Sequence, residues 1–370
     1  MRIEALTFFR FLAALIVIIF HFGTSTDLAK TFSPFIISGS QMVTFFFVLS
    51  GFVLMISHYK KKDETLQNFY LSRIARIVPL YMLALFLTLY FEHDAKEHML
   101  SLALSMGFLQ SWFPPYAMNL NIPGWSLSAE AFFYLTFPLV LFIIKQSNIK
   151  IFSLILFSLL LYLFTQAILS NYMNHASYDQ LPAIFHDTLY YSPLFHYCSF
   201  ILGVTGGYIY VKKPHYFHKK TFLSFFIMSF SFFITYYLLQ HPELLNETLN
   251  TTLAYKSSFY GLLFLLFILS ITYSNNFIIK ILSLRLFVIL GESSYALYIL
   301  QFPIYILYNE HISKYLNLEG SNNFYAYLFI LIILSIATFY LFEKPANYFI
   351  KNKLPLYYRK ITNKRTLSLH

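Results

Sequence analysis

An all-α, polytopic membrane protein with about ten spanning helices is predicted by three features of this 370-residue chain. Apolar runs of membrane-spanning length recur from end to end. The composition is 58% hydrophobic and 11% charged, whereas a soluble chain carries about twice that charge. The basic residues fall in short loops, and they alternate in density from one loop to the next.

The runs place spans at 6–22, 41–58, 76–91, 124–143, 151–169, 193–211, 221–239, 253–273, 287–308 and 324–342. An eleventh stretch, Met99–Phe113, is shorter and ends in Phe113-Pro114-Pro115. Charge decides whether it crosses. With the N-terminus cytoplasmic and this stretch left out, 21 basic residues lie on the cytoplasmic side and four (Lys30, Lys96, Lys256 and Lys314) on the outer side. If it crossed, every later loop would change sides and 15 basic residues would move out. The positive-inside rule therefore makes it re-entrant or interfacial on the outer face, and backbone that breaks at membrane depth lines a cavity. Both termini are then cytoplasmic. The first run has no clear A-x-A cleavage site and reads as a retained helix. Residues 1–345 form a single membrane domain, and 346–370 a basic cytoplasmic tail suited to anionic membrane lipids. The net charge of +10 is spread over these loops, which argues against nucleic acid as a partner. The single cysteine, Cys198, excludes intrachain disulfides and cysteine-ligated metal clusters; it reads as a buried small apolar residue.

Arg10 and His21 lie inside the first span. Ionisable groups in hydrocarbon are costly and mark function by default. Eleven residues amount to three turns plus roughly 20°, so both side chains share one stripe about 16 Å apart along the helix. Arg73 and Arg76, at i,i+3 where the third span begins, offer two forked guanidiniums for phosphates; the plainer reading is snorkelling anchors. Glu130, in the first turns of the fourth span, is expected at the depth of His21 and is a candidate to orient it. The plainer reading pairs Glu130 with the helix end. Trp125, Ser126 and Ser128 precede it as an interfacial anchor and cap or as a wall of an acceptor pocket. Ser50-Gly51 is a small-residue packing device of the second span. Glu292, Ser293, Tyr295, Tyr298 and Gln301 bring polar groups into the ninth span. Glu343, where Phe342-Glu343-Lys344-Pro345 closes the last helix, opposes the macrodipole and needs a cationic partner, with Arg73 and Arg76 the candidates.

Other signals are weak. His58 and Asp63 fit an H-x4-D pattern in a basic turn, a match that is cheap by chance. His93 and His98 have the wrong spacing for a metal face. Asn246 and Asn250 head N-x-T sequons.

Arg10-x10-His21, FFVLSGF, RIARIVPLY, WSLSAEAFFYLTFP, GESSYALYILQFP and FEKP, in this order over residues 5–345, resemble the acyltransferase-3 family of bacterial integral-membrane O-acyltransferases. The resemblance implies an acyl-CoA donor, most often acetyl-CoA, and no metal. It implies an acceptor hydroxyl on a surface glycan or lipid-linked glycan, such as lipopolysaccharide O-antigen, and residence in the inner membrane. It implies that His21 and Arg10 are needed for activity and that the Arg73/Arg76 pair is at the donor site; with the residue reading above, the catalytic candidates are His21, Arg10 and Glu130 and the donor-site candidates Arg73, Arg76, Arg10 and Tyr81. Trp125, Ser126, Ser128, Ser50, Tyr295 and Glu343 serve as support. The family often has histidine where this chain has Gln301, which cannot carry a proton at neutral pH. The periplasmic esterase-like domain of some members is not expected here, since the chain ends at His370. A transporter or flippase of a glycan or lipid precursor is the alternative, because transporters also keep charges and broken helices at membrane depth.

Overall fold

The computed structural model describes residues 4–62, 64–91, 99–175, 178–180, 182–214, 221–274 and 277–354. Every element among the described residues is helical. Hydrocarbon dictates this, because a segment without water must satisfy its own N–H and C=O groups. The spanning helices, in chain order, begin with α1 (Glu4–Phe22), α2 (Gln41–His58), α3 (Leu66–Phe91) and α4 (Gly124–Gln146). They continue with α5 (Ile151–Met173), α6 (Pro193–Lys212), α7 (Thr221–Gln240) and the 13-residue α8 (Gly261–Tyr273). α9 (Arg285–Glu292) and α10 (Ser294–Leu307) form one span bent by 52° at Ser293. α11 (Gly320–Thr338) runs on through π-helical turns to Lys353. Among the described residues eight helices are long and apolar enough to cross a bilayer. With the bent span and the short α8, they fall on the ten predicted runs, and the chain is an all-α multi-pass membrane protein.

Three boundaries differ from expectation. α3 starts at Leu66, ten residues before the predicted edge, so Arg73 is well inside a helix. Residues 253–260 are turns rather than span. The last helix does not close at Phe342-Glu343-Lys344-Pro345. The wider π turn at Phe339–Glu343 accommodates the ring and missing N–H of Pro345, and the helix continues. The Met99–Phe113 stretch contains only one eight-residue helix, Met99–Met106, about 12 Å long and too short to cross. 3-10 turns follow it. Side chains lace these turns to the start of α4. Gln110 Nε2 donates to the Gly124 carbonyl at 2.7 Å, Ser111 Oγ to that of Trp125 at 2.8 Å, and Ser128 Oγ to that of Phe108 at 2.6 Å.

Close backbone contacts set the positions of α2 and α9. A Cβ at Gly203 of α6 would overlap the Val48 carbonyl oxygen, and one at Gly51 of α2 would overlap that of Phe200. Small residues at these two points let the helices touch directly. Likewise a Cβ at Gly291 would overlap the Thr7 carbonyl, so α9 rests on the backbone of α1 and aims α10 along it. Gly203→Leu is expected to force α2 and α6 apart, losing about 3 kcal/mol or more to overpacking; thermal unfolding in detergent measures the loss.

Candidate active site

The first polar region is a cavity of about 90 Å³ between α1, α2, α3, α4 and α10. Arg10 lines it from α1 and Arg73 and Arg76 from α3. Ser50 comes from α2, Ser126, Glu130 and Tyr134 from α4, and Ser294, Tyr295 and Tyr298 from α10. Helical spacing explains the convergence: Arg73 and Arg76 are i,i+3, and Ser126, Glu130 and Tyr134 follow at steps of four. Glu130 accepts hydrogen bonds from the Tyr134 hydroxyl and from Ser50 Oγ, the latter at 3.3 Å. Arg73 donates from Nε to Ser72 Oγ at 3.2 Å, and its guanidinium lies over the Tyr134 ring at 5.6 Å and the Phe69 ring at 5.9 Å.

Arg10 and Arg76 differ from Arg73. Among the described residues neither has a hydrogen bond or a carboxylate ion pair. Glu130 and Glu343 lie within electrostatic reach of both, and the buried Glu343 Oε2 has no hydrogen-bond partner. Three cations thus face two carboxylates, with guanidinium donors unused. A multiply charged anion satisfies such a set, because oxygens arranged around phosphorus match the guanidinium fork. Lys351, on the extension of α11, lies within reach of Arg73 and Arg76 and adds a fourth cation at this end. The sequence reading missed Lys351 because it assigned that segment to the tail; its only signal was a basic residue eight positions after Glu343.

Replacing Glu130 by glutamine removes a counter-charge without changing shape. The ligand-free protein is expected to lose about 3 kcal/mol, since cations are left uncompensated. Added pyrophosphate should restore part of that loss in a thermal-shift measurement.

His21 lies outside this cavity, one further half of α1 away, among the rings of Phe20 and Phe22. Its Nδ1 is 2.9 Å from Gln301 Oε1. Gln301 is completely buried. Its Nε2 donates to the Tyr298 carbonyl at 2.6 Å, and its own carbonyl accepts from the Tyr327 hydroxyl at 2.8 Å. Glu130 is therefore not the partner of His21, contrary to expectation. It hangs with Ser50, Tyr134 and the arginines instead. The reason is depth: Glu130 sits in the second turn of α4, about 9 Å in from Gly124, and its side chain turns towards the arginine cavity.

The remaining candidates divide. Ser50, Ser126 and Tyr295 join the arginines in the cavity. Ser126 Oγ and Tyr298 OH are 2.9 Å apart, and Tyr295 OH donates to the Ile77 carbonyl at 2.8 Å. Glu343 does not line the cavity but lies within electrostatic reach of Arg76 and Arg10. Tyr81 does not line the cavity. Five residues beyond Arg76 is about 140° around the helix, and its hydroxyl accepts from Gln110 Nε2 at 3.0 Å. Trp125 does not line the arginine cavity. It is 8% exposed and packs edge-on against Phe47 and Tyr191. Ser128 pins the 3-10 segment rather than facing the cavity. Neither serine caps α4, whose first residue follows Pro123 without a side-chain cap. His58 pairs with Glu64, which also meets Lys61 at 3.0 Å. Asp63, His93 and His98 lie outside the described residues.

These observations define a multi-pass helical membrane protein in which one end of α1 joins a cluster of guanidiniums and the other carries a hydrogen-bonded imidazole. The family model described as Acyltransferase domain matches residues 3–344, nearly the whole chain, and the chain belongs to this acyltransferase-3 family. It is similar to acyltransferase MdmB of Streptomyces mycarofaciens, 31% identical over 163 residues, which covers 40% of this chain and 42% of that protein. An uncharacterized protein of Haemophilus influenzae is 31% identical over 139 residues, covering 31% of this chain and 57% of its own length. The chain thus spans about half the length of these curated relatives. No solved structure matches it.

Proposed function

We propose that this protein takes an acyl group, acetyl from acetyl-CoA, through the membrane to a hydroxyl of a cell-surface polysaccharide or its lipid-linked precursor. One observation carries this reading: unbonded guanidiniums at one end of α1 and a hydrogen-bonded imidazole at the other. The family and the name of the Streptomyces relative support acyl transfer in general.

In this reading the protein sits in the bacterial inner membrane with both termini in the cytoplasm. The phosphates of CoA meet Arg73, Arg76, Arg10 and Lys351. The cavity of about 90 Å³ is far smaller than CoA, so the nucleotide stays at the mouth. Only the pantetheine arm advances beside α1. His21 Nε2 takes the proton of the acceptor hydroxyl as its oxygen attacks the thioester carbonyl. The carbon–sulfur bond breaks, and the departing thiolate receives the proton. Positioned base catalysis contributes typically 10²–10⁴-fold.

Mass spectrometry of surface glycan from a strain lacking the protein tests the reading. Loss of acetyl groups from defined hydroxyls, restored by the wild-type gene, is the expected result. Unchanged acetylation with a glycan precursor trapped on one side of the membrane overturns it in favour of transport.

A further inference from the structure

We propose that Gln301 is a positioning residue that fixes the tautomer of His21, so that Nδ1 carries the proton and Nε2 presents the lone pair. The proposal rests on the base role given to His21 above. It follows from a chain of obligatory donors and acceptors. The Tyr298 carbonyl can only accept, so the Gln301 group 2.6 Å from it must be the NH₂. That orients the amide, and Oε1 is the atom facing His21 at 2.9 Å. An amide oxygen can only accept, so His21 Nδ1 must be the donor. A neutral imidazole has one N–H, which leaves Nε2 bare. Among the described residues no hydrogen bond engages Nε2.

The amide itself has little freedom to flip. Gln301 is fully buried, and its backbone carbonyl is held by the hydroxyl of Tyr327, itself almost wholly buried. Phe22, next to His21, stacks on Tyr305 at 4.1 Å, and Tyr305 is one turn beyond Gln301 on α10. The imidazole is therefore placed by α10 from two sides, and Gln301 does the work that Glu130 was expected to do. A neutral orienter suits this depth. A carboxylate would pin the same tautomer, but it would add a charge where no counter-charge has been identified among the described residues.

The test uses the full-length protein in lipid nanodiscs with ¹⁵N-labelled histidine, His21→Ala serving to assign the His21 signals. Solid-state NMR of the wild type is expected to show His21 with Nδ1 protonated and Nε2 unprotonated. Gln301→Leu should give a mixture of tautomers. Its kcat with acetyl-CoA and deacetylated surface glycan should fall about 10²-fold, as for a misplaced catalytic group, with the KM for acetyl-CoA unchanged. Gln301→His offers one donor and one acceptor, the same pair as the amide, and should restore a single tautomer and most of the turnover. A wild-type spectrum with the proton on Nε2 overturns the proposal, even if the leucine variant fails to fold. So does a leucine variant that keeps both tautomer and turnover. Failure of the underlying reading looks different: His21→Ala would then retain wild-type acetylation whatever the spectrum shows.

Discussion

Replacing His21 by alanine is expected to lower acyl transfer by about 10²- to 10⁴-fold, the usual worth of a positioned base, while acetyl-CoA still binds. The separation of effects follows from geometry. His21 does not line the arginine cavity, so its removal leaves the guanidiniums in place. The variant does leave Gln301 Oε1 without its partner in a buried site, at a cost of about 1–3 kcal/mol. Thermal unfolding should register that cost and show that the protein remains folded. Glycan acetylation at the wild-type rate by folded, inserted His21→Ala protein would remove His21 from the chemistry.

The second large effect belongs to the arginines. A hydrogen bond to a charged group contributes about 1.5–3 kcal/mol, so Arg76→Ala is expected to weaken acetyl-CoA binding by roughly 10- to 100-fold. Arg73→Ala should cost less. Arg73 already lies against the rings of Phe69 and Tyr134 and donates to Ser72, and part of its interaction is spent there. The double variant should lose most specific binding, though not as the sum of the two, because adjacent charges couple. Arg76→Lys should rescue only partly, since an ammonium lacks the fork. Calorimetry with acetyl-CoA decides the matter; affinities within twofold of wild type for the double variant would show that the phosphates bind elsewhere.

Much of the architecture was legible because hydrocarbon imposes one-dimensional rules. A run of about twenty apolar residues has little choice but to be a helix. The shared stripe of Arg10 and His21 follows from helix geometry alone. What failed required relations between helices. Glu130 and His21 were assigned one depth from the ends of their spans, but relative offset and side-chain direction are properties of packing, which here comes from contacts such as Gly51 on Phe200. Gln301 stood out in the sequence for what it cannot do, carry a proton. Its bond to a residue 280 positions away has no local signal. Glu343 does lie near Arg76 and Arg10, yet the argument that led there assumed a helix end that a π turn abolishes. That same turn hid Lys351.

Tyr298 lines the arginine cavity, its hydroxyl 2.9 Å from Ser126 Oγ and its ring edge-on to Phe46 at 5.6 Å, and its carbonyl holds the Gln301 amide that faces His21. That position, in touch with both groups, has a bioenergetic meaning. Each elementary charge that leaks down a potential of 100 mV dissipates about 2.3 kcal/mol. A pathway lined by arginines at one end and an imidazole at the other would, if continuous, conduct protons or anions. A path of this kind must therefore be interrupted whenever no substrate fills it, or the membrane potential is lost.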